Sequence, residues 1–96
     1  DLMKSTAVLV NTARGGLIHD DDLIDALKRG KLAGAGLDVF TTEPLPAESE
    51  YRKLPNVVLT PHIASSTLES FWNTYKCAID IADNIFQGKS DPRLLV

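Results

Sequence analysis

The sequence predicts an α/β fold in which parallel β-strands alternate with α-helices. Three short, mostly apolar runs lie at residues 7–10, 32–40 and 57–59, and each is bounded by polar or helix-breaking residues. Runs that are apolar on both faces are typical of strands buried in a parallel sheet. A helical pattern separates the first two runs. Strand, helix and strand in this order form a βαβ unit, whose two strands are parallel and joined by a right-handed crossover.

The helix between the first two runs has a start signal and a stop signal. Residues 20–22 are all aspartate, and negative charge is favourable at the positive N-terminal end of a helix dipole. Leu23, Ile24 and Leu27 then form an apolar face. Gly30 is a typical C-terminal stop because glycine adopts the left-handed conformation that often ends a helix. The predicted helix therefore runs from about residue 20 to just before Gly30.

The connection between the second and third runs is predicted to be mostly loop. Pro44, Pro46 and Pro55 interrupt it, because proline lacks the N–H that a helix interior needs. At most a short helical turn is expected, near residues 48–54.

The longest helix is predicted after the third run. Ser66 followed by Glu69 is a capping-box pattern, and the helix is expected to continue to about Gln87 and to stop at Gly88. Its apolar side covers close to half of the helix circumference, which is wider than the usual stripe of roughly 100°. A helix with so wide an apolar side could be buried against two surfaces.

Composition and charge exclude several classes of protein. The 96 residues suffice for one small core, and 44% hydrophobic with 24% charged residues is the balance of a globular chain. The net charge of −3 is spread along the chain, so nucleic acid is not expected as a partner. No apolar run approaches the roughly 20 residues that span a bilayer, so no membrane partner is expected. The single cysteine, Cys77, favours a reducing, cytoplasmic location, and no residue cluster indicates a metal site.

Polar side chains follow all three apolar runs, where the predicted strands end. Arg14 lies shortly after the first run, Asp38 closes the second and is followed by Glu43, and His62 follows the third. Ligands of open parallel sheets bind beyond the carboxyl ends of the strands. A guanidinium, two carboxylates and an imidazole are therefore expected at one edge of the sheet.

These groups suit the reduction of a 2-oxo acid. The planar fork of Arg14 can bind a carboxylate through two hydrogen bonds, and the imidazole of His62 can give or take a proton near neutral pH. A carboxylate on the other ring nitrogen would orient the imidazole and hold its proton; either Glu43 or Asp38 could do this. Arginine would hold the substrate, hydride would reach the carbonyl carbon, and histidine would protonate the oxygen.

Four linked motifs resemble the D-2-hydroxyacid dehydrogenase family, in particular its glyoxylate/hydroxypyruvate reductase branch. They are NTARGG at 11–16, GAGLDVF at 34–40, EPLP at 43–46 and LPNVVLTPHI at 54–63. The resemblance implies that residues 1–66 are the C-terminal half of a Rossmann-like NAD(P)-binding domain. It also implies that residues 67–96 form a helix and tail that return to a substrate domain. Residues 1–4 read like the end of a helix that began earlier, so we expect a longer parent protein.

The resemblance also implies roles for particular residues. Arg14 would bind the substrate, His62 would be the catalytic histidine, and Glu43 would be the carboxylate paired with it. Asp38 would bind the carboxamide of the nicotinamide ring. The backbone of four further residues would line the nicotinamide pocket: Thr12, Ala13, Ala64 and Ser65. Alanine stands at 64 where the family usually has glycine, which adds one methyl group close to the cofactor.

The function implied is that of an oxidoreductase. It would transfer hydride between NAD or NADP and a small 2-oxo or 2-hydroxy acid such as glyoxylate or hydroxypyruvate, and its parent enzyme would be a cytoplasmic homodimer. The 96 residues alone are expected to be inactive, because they carry no glycine-rich loop to hold the pyrophosphate. The alternative is a non-catalytic, NAD-sensing binding module of the corepressor type, since one fold can serve unrelated functions.

Overall fold

The computed structural model describes residues 2–93, and the chain divides into two units, residues 1–64 and 65–96. Residue 1 and the last three residues of the predicted tail, 94–96, lie outside the described part. The elements of the first unit, in chain order, are β1 (Val8–Asn11), a 3-10 turn (Gly15–Leu17), α1 (Asp20–Lys28), β2 (Gly34–Leu37), a second 3-10 turn (Glu50–Lys53) and β3 (Val57–Leu59). The second unit contains α2 (Leu68–Phe86).

The three strands form one parallel sheet in the order β1-β2-β3. Asn11 is opposite Leu37, and Leu37 is opposite Leu59, so the strands stop at the same level. Two backbone bonds extend the ladder past these ends: the N–H of Asp38 donates to Asn11 and the N–H of Thr60 donates to Leu37, each at 3.0 Å. The predicted α/β fold is confirmed, and the carboxyl ends of all three strands share one edge.

The core of the first unit lies on one face of this sheet. Its buried apolar side chains come from α1, β2 and the segments around them: Leu23, Leu27, Leu32, Ala35, Leu37 and Tyr51. On the opposite face Val8, Val10 and Val58 are 61%, 69% and 68% exposed. The expectation that every apolar run is buried on both faces is therefore wrong for β1 and β3. The reason is that, within this unit, helices cover one face only, so alternate side chains of these strands face away from the core.

The first helix begins and ends where the sequence predicts. α1 starts at Asp20 and ends at Lys28, and Gly30 has a φ of 66°. The buried hydroxyl of Tyr51 donates a 2.9 Å hydrogen bond to the Asp20 carboxylate at the start of α1. Burial and the negative charge of Asp20 both raise the pKa of Tyr51. This bond joins the second 3-10 turn, the predicted turn of the proline-rich loop, to the first turn of α1.

The start of α2 differs from the predicted capping box. The N-cap is Thr67, whose hydroxyl accepts a 3.1 Å hydrogen bond from the N–H of Ser70. Ser66 and Glu69 are therefore not the capping pair. Ser66 and Thr67 are both residue types that serve as N-caps, and the helix begins one residue later than predicted, so the N3 position is occupied by Ser70 rather than Glu69. Glu69 still lies in the first turn, where the helix dipole favours its charge.

The second unit has no buried residue on its helix. The apolar side predicted for α2 consists of exposed side chains that include Leu68, Phe71, Trp72, Tyr75, Ile79, Ile85 and Phe86. Beyond Gly88 the chain is held by the buried carboxylate of Asp91, which accepts bonds from Asn84 at 2.8 Å and from the Arg93 guanidinium at 2.6 and 2.8 Å. The Arg93 guanidinium, above all, lowers the pKa of Asp91. No helix within residues 2–93 is long and apolar enough to span a membrane.

Candidate active site

His62 has an unusual backbone conformation at the carboxyl edge of the sheet. It lies three residues after the end of β3, and its φ is 58°. It is the one non-glycine residue within 2–93 with a positive φ. Residues with a β-carbon rarely adopt this left-handed region, and such residues cluster at functional sites because the surrounding structure must hold them there.

Asp38 supplies the contacts that hold the backbone on both sides of His62. Its Oδ1 accepts from the Thr60 hydroxyl at 2.5 Å and from the N–H of Ile63 at 2.9 Å, and its Oδ2 accepts from the N–H of Ala64 at 2.8 Å. The Thr60 bond, with the two backbone amides, outweighs the cost of desolvation and lowers the pKa of Asp38. Asp38 is 3% exposed, so an ionised carboxylate is buried here because three donors compensate it.

Glu43 is the carboxylate that pairs with His62. Its Oε2 lies 2.8 Å from Nδ1 of the imidazole, and its Oε1 accepts a 2.9 Å bond from the N–H of Phe40. The His62 bond first, and the Phe40 N–H second, lower the pKa of Glu43. Residue types and spacing left Glu43 and Asp38 open as partners of the ring, and in the structure the partner is Glu43. The peptide bond between Glu43 and Pro44 is cis. With Nδ1 donating to Glu43, Nε2 is left as the nitrogen for a ligand.

Arg14 lies on a short loop that the buried side chain of Asn11 organises. The Asn11 amide group donates to the carbonyl of Arg14 at 2.9 Å, and its oxygen accepts from the N–H of Ala13 at 3.1 Å. The exposed Arg14 guanidinium donates to the Ala13 carbonyl at 2.6 Å, and no hydrogen bond within residues 2–93 joins it to Glu43 or His62. Sequence reasoning gave Asn11 no role. The available signal was an asparagine at the end of an apolar strand, which is typical of a side chain that caps the following turn.

The residues expected to contact nicotinamide fall into two groups. Thr12, Ala13, Asp38 and Ala64 belong to the first unit, whereas Ser65 opens the second. Thr12 and Ala13 are exposed where β1 ends. An ionised carboxylate can accept about four hydrogen bonds, and Asp38 accepts three from this chain. One acceptor position of Asp38 is therefore not used by the hydrogen bonds within residues 2–93.

A cavity of about 510 Å³ lies beside the Glu43–His62 pair. Its wall combines apolar side chains, such as Phe40 and Leu45, with the pair itself and with Arg52. Arg52 donates from Nε to the carbonyl of Pro46 at 3.0 Å and from Nη2 to that of Leu45 at 2.9 Å. Sequence reasoning missed Arg52, because an arginine in a loop carries no pattern that distinguishes it from a solvated side chain.

A parallel sheet whose polar side chains gather beyond the strand ends is the arrangement of nucleotide-binding α/β proteins. A family model narrows this class. The model describes the NAD-binding domain of D-isomer specific 2-hydroxyacid dehydrogenases, and it matches residues 1–64. The chain belongs to this family, as the four sequence motifs predicted.

Several known proteins are similar to the chain. A glyoxylate/hydroxypyruvate reductase B from Yersinia enterocolitica is 53% identical over 78 residues, which are 81% of this chain and 24% of that protein. A D-isomer specific 2-hydroxyacid dehydrogenase from Xanthobacter autotrophicus, solved with NADPH and MES, has a TM-score of 0.78 at 32% identity, covering 98% of this chain and 38% of the other. An NADPH-dependent glyoxylate/hydroxypyruvate reductase from Sinorhizobium meliloti, solved with NADP and sulfate, has a TM-score of 0.73 at 30% identity, covering 94% of this chain and 28% of the other. This chain spans about a quarter of the length of the curated relatives it matches.

Proposed function

We propose that this chain is the C-terminal, proton-transferring part of an NAD(P)-dependent oxidoreductase that reduces a small 2-oxo acid such as glyoxylate or hydroxypyruvate. The observation that carries the proposal is the Glu43–His62 pair. Its Oε2–Nδ1 distance is 2.8 Å, and the backbone of His62 is held in the left-handed region at the sheet edge. A histidine oriented in this way by a carboxylate is the arrangement of a general acid or base. The names of the relatives support the same class of substrate.

The residues of this chain would divide the work of the reaction. His62 would donate the Nε2 proton to the carbonyl oxygen of the oxo acid, while Glu43 holds the opposite side of the ring through Nδ1. Arg14 would bind the substrate carboxylate through both prongs of its guanidinium. The Arg14 side chain would have to leave its contact with the Ala13 carbonyl to do so. Binding at these two points would orient the carbonyl carbon toward the cofactor.

The cofactor, NADH or NADPH, would supply the hydride. Five residues of this chain would face its nicotinamide ring: Thr12 and Ala13 through their backbone, Asp38 through its remaining acceptor position, and Ala64 and Ser65 through their backbone. The donor that Ala64 offers is already bound to Asp38. Its contribution to the cofactor would therefore be contact rather than a hydrogen bond. The support for this assignment is the fit between Asp38 and a carboxamide together with the family's description as an NAD-binding domain.

The remaining parts of the proposal concern the parent protein. Residues 1–66 would complete an NAD(P)-binding domain, and residues 67–96 would return to a substrate domain of a cytoplasmic, homodimeric enzyme. The exposed apolar side of α2 supports this division, because a soluble chain rarely leaves so many large apolar side chains uncovered. Light scattering of the full-length protein tests the dimer.

The histidine of the pair provides the decisive test. In the full-length protein, His62→Asn should lower turnover of glyoxylate or hydroxypyruvate by about 100- to 10,000-fold, the range of general acid catalysis. Asparagine tolerates the left-handed conformation better than most residues, so the turn should be kept. Oxidation of NAD(P)H is followed by absorbance, with NAD(P)H affinity measured separately and expected to be unchanged.

His19 offers a matched control, because it is the other histidine of the chain and caps α1 without a side-chain hydrogen bond to the helix. His19→Asn should leave turnover unchanged. Loss of turnover by less than about threefold in His62→Asn would remove His62 from the mechanism. A full-length protein that binds NADH but reduces no 2-oxo acid would instead favour the NAD-sensing binding module.

A further inference from the structure

The Arg14 loop packs closely against the loop after β2 at Gly15. A β-carbon on Gly15 would lie 2.0 Å from the carbonyl carbon of Phe40, 2.3 Å from its oxygen and 2.4 Å from the amide nitrogen of Thr41. Gly15 is buried, and side chains essentially never approach backbone so closely. The Cα of Gly15 therefore packs directly on the peptide group that joins Phe40 and Thr41. The next residue, Gly16, has nothing within 4 Å of the same position.

The same stretch of backbone also holds the proton-transferring pair. The N–H of Phe40 donates to Oε1 of Glu43 at 2.9 Å, and Oε2 of that carboxylate lies 2.8 Å from the His62 ring. Gly15 immediately follows Arg14 in the chain. One continuous path of contacts thus runs from the proposed substrate-binding arginine through Gly15 and Phe40 to Glu43 and His62.

We propose that Gly15 is a positioning residue: its contact with the Phe40 backbone sets the distance between the arginine that holds the substrate and the Glu43–His62 pair that protonates it. This inference rests on the proposed function for the roles of those groups. The Phe40 backbone is the shared reference point of both halves of the site. A side chain at 15 would push the Phe40–Thr41 peptide away. Because the preceding peptide group is joined to it through the Cα of Phe40, the N–H of Phe40 would shift with it and its bond to Glu43 would be weakened.

A second contact secures the arginine independently of this junction. The side chain of Asn11 binds the backbone of Ala13 and of Arg14 at 3.1 and 2.9 Å. Asn11 therefore fixes the shape of the arginine loop, whereas Gly15 fixes where that loop stands relative to Glu43. The two residues should have different effects when they are changed.

The experiment compares Gly15→Ala with Gly16→Ala in the full-length protein. Gly15→Ala should lower kcat/KM for the oxo acid about 100-fold, the loss that a misplacement of roughly 1 Å can cause. It should also raise the pKa of Glu43 toward its ordinary value, because the Phe40 N–H no longer stabilises the charged carboxylate. Carbon-13 NMR of the glutamate carboxyls measures this titration, with the resonance assigned by Glu43→Gln. Gly16→Ala should change neither quantity.

The outcomes separate this inference from the proposed function. A Glu43 titration in Gly15→Ala that matches Gly16→Ala overturns the positioning role, whatever the activity. If the unaltered protein reduces no 2-oxo acid, the proposed function fails, and the titration alone then decides whether Gly15 positions Glu43. If Gly15→Ala does not fold, Asn11→Ala decides instead. In Asn11→Ala, a raised KM for the oxo acid with an unchanged Glu43 titration supports the view that Asn11 shapes the arginine loop while Gly15 positions Glu43. A shifted Glu43 titration in Asn11→Ala overturns that view.

Discussion

At the scale of single residues, the candidate site depends on backbone groups as much as on side chains. The Asp38 carboxylate accepts from the Thr60 hydroxyl, which precedes His62, and from the backbone amides of the two residues that follow it. Those bonds hold the turn in which His62 has a φ of 58°. Glu43 likewise uses one oxygen on a backbone amide and the other on the imidazole. Each acid thus fixes one part of the histidine, Asp38 its backbone and Glu43 its ring.

Replacing Arg14 by lysine keeps the positive charge at this position but removes the planar, two-pronged donor group of the guanidinium. In the full-length protein, Arg14→Lys should lower kcat/KM for a 2-oxo acid by at least about tenfold, because lysine cannot make a two-pronged contact with a carboxylate. The affinity for NAD(P)H should stay the same. Steady-state kinetics with saturating cofactor measure the effect. Arg29→Lys is the control, because within residues 2–93 the exposed Arg29 pairs with Asp25 of α1. An unchanged kcat/KM would show that Arg14 does not hold the substrate.

At the scale of elements, local signals place the helices well, and ambiguous signals shift their ends. Three aspartates lie in the first turn of α1, and Gly30 follows its end, as predicted. Both signals are local: the helix dipole favours acids in the first turn, and a glycine in the left-handed conformation ends the last turn. The start of α2 was predicted one residue too early. Ser66 and Thr67 both carry a hydroxyl, and only the backbone path decides which hydroxyl reaches a free N–H of the first turn.

The corrected cap gives a prediction with its own control. Thr67→Ala should destabilise the first turn of α2 by about 1 kcal/mol, the usual value of an N-cap hydroxyl. Amide hydrogen exchange of residues 69–71 in the full-length protein should then speed up by roughly fivefold, which is the same energy expressed as a ratio. Ser66→Ala should leave this exchange unchanged. Faster exchange in Ser66→Ala and not in Thr67→Ala would restore the capping box predicted from sequence.

At the scale of the whole molecule, each unit leaves apolar surface exposed. In the first unit the exposed valines Val8 and Val10 belong to β1, an edge strand of the described sheet. In the second unit the large apolar side chains of α2 are exposed along its length. An open strand edge recruits other strands, and large exposed apolar patches promote association.

The 96 residues by themselves should therefore self-associate. Sedimentation velocity at several concentrations should detect dimers or larger species. The same 96 residues should not bind NAD(P)H with micromolar affinity, because they carry no glycine-rich phosphate loop. Val10→Lys should weaken association if the sheet edge and its uncovered face cause it, since lysine is a residue that natural edge strands use against pairing. A monomer at every concentration would show that neither surface is adhesive.

Much of this protein was determined by sequence alone, because it depends on local chemistry. Apolar runs, the aspartates before α1 and the glycines that end both helices act over a few residues, so the order and type of the elements could be predicted. The convergence of Arg14, Asp38, Glu43 and His62 on one edge also followed, because parallel strands necessarily place their carboxyl ends together. Family membership followed from four motifs in fixed order.

Only the tertiary structure decided how those side chains share the edge. Residue types and spacing left both Glu43 and Asp38 open as the partner of His62, because both acids follow the same strand, and only the family resemblance implied Glu43. The choice depends on which carboxylate the backbone turns toward the ring. Sequence also gave no role to Asn11 and no sign of the contact between Gly15 and the Phe40 backbone. Both depend on distances between atoms, which the spacing of residues along the chain does not reveal. Hydrogen bonds act over about 3 Å, and groups far apart in the chain come within that range only when the fold brings them there.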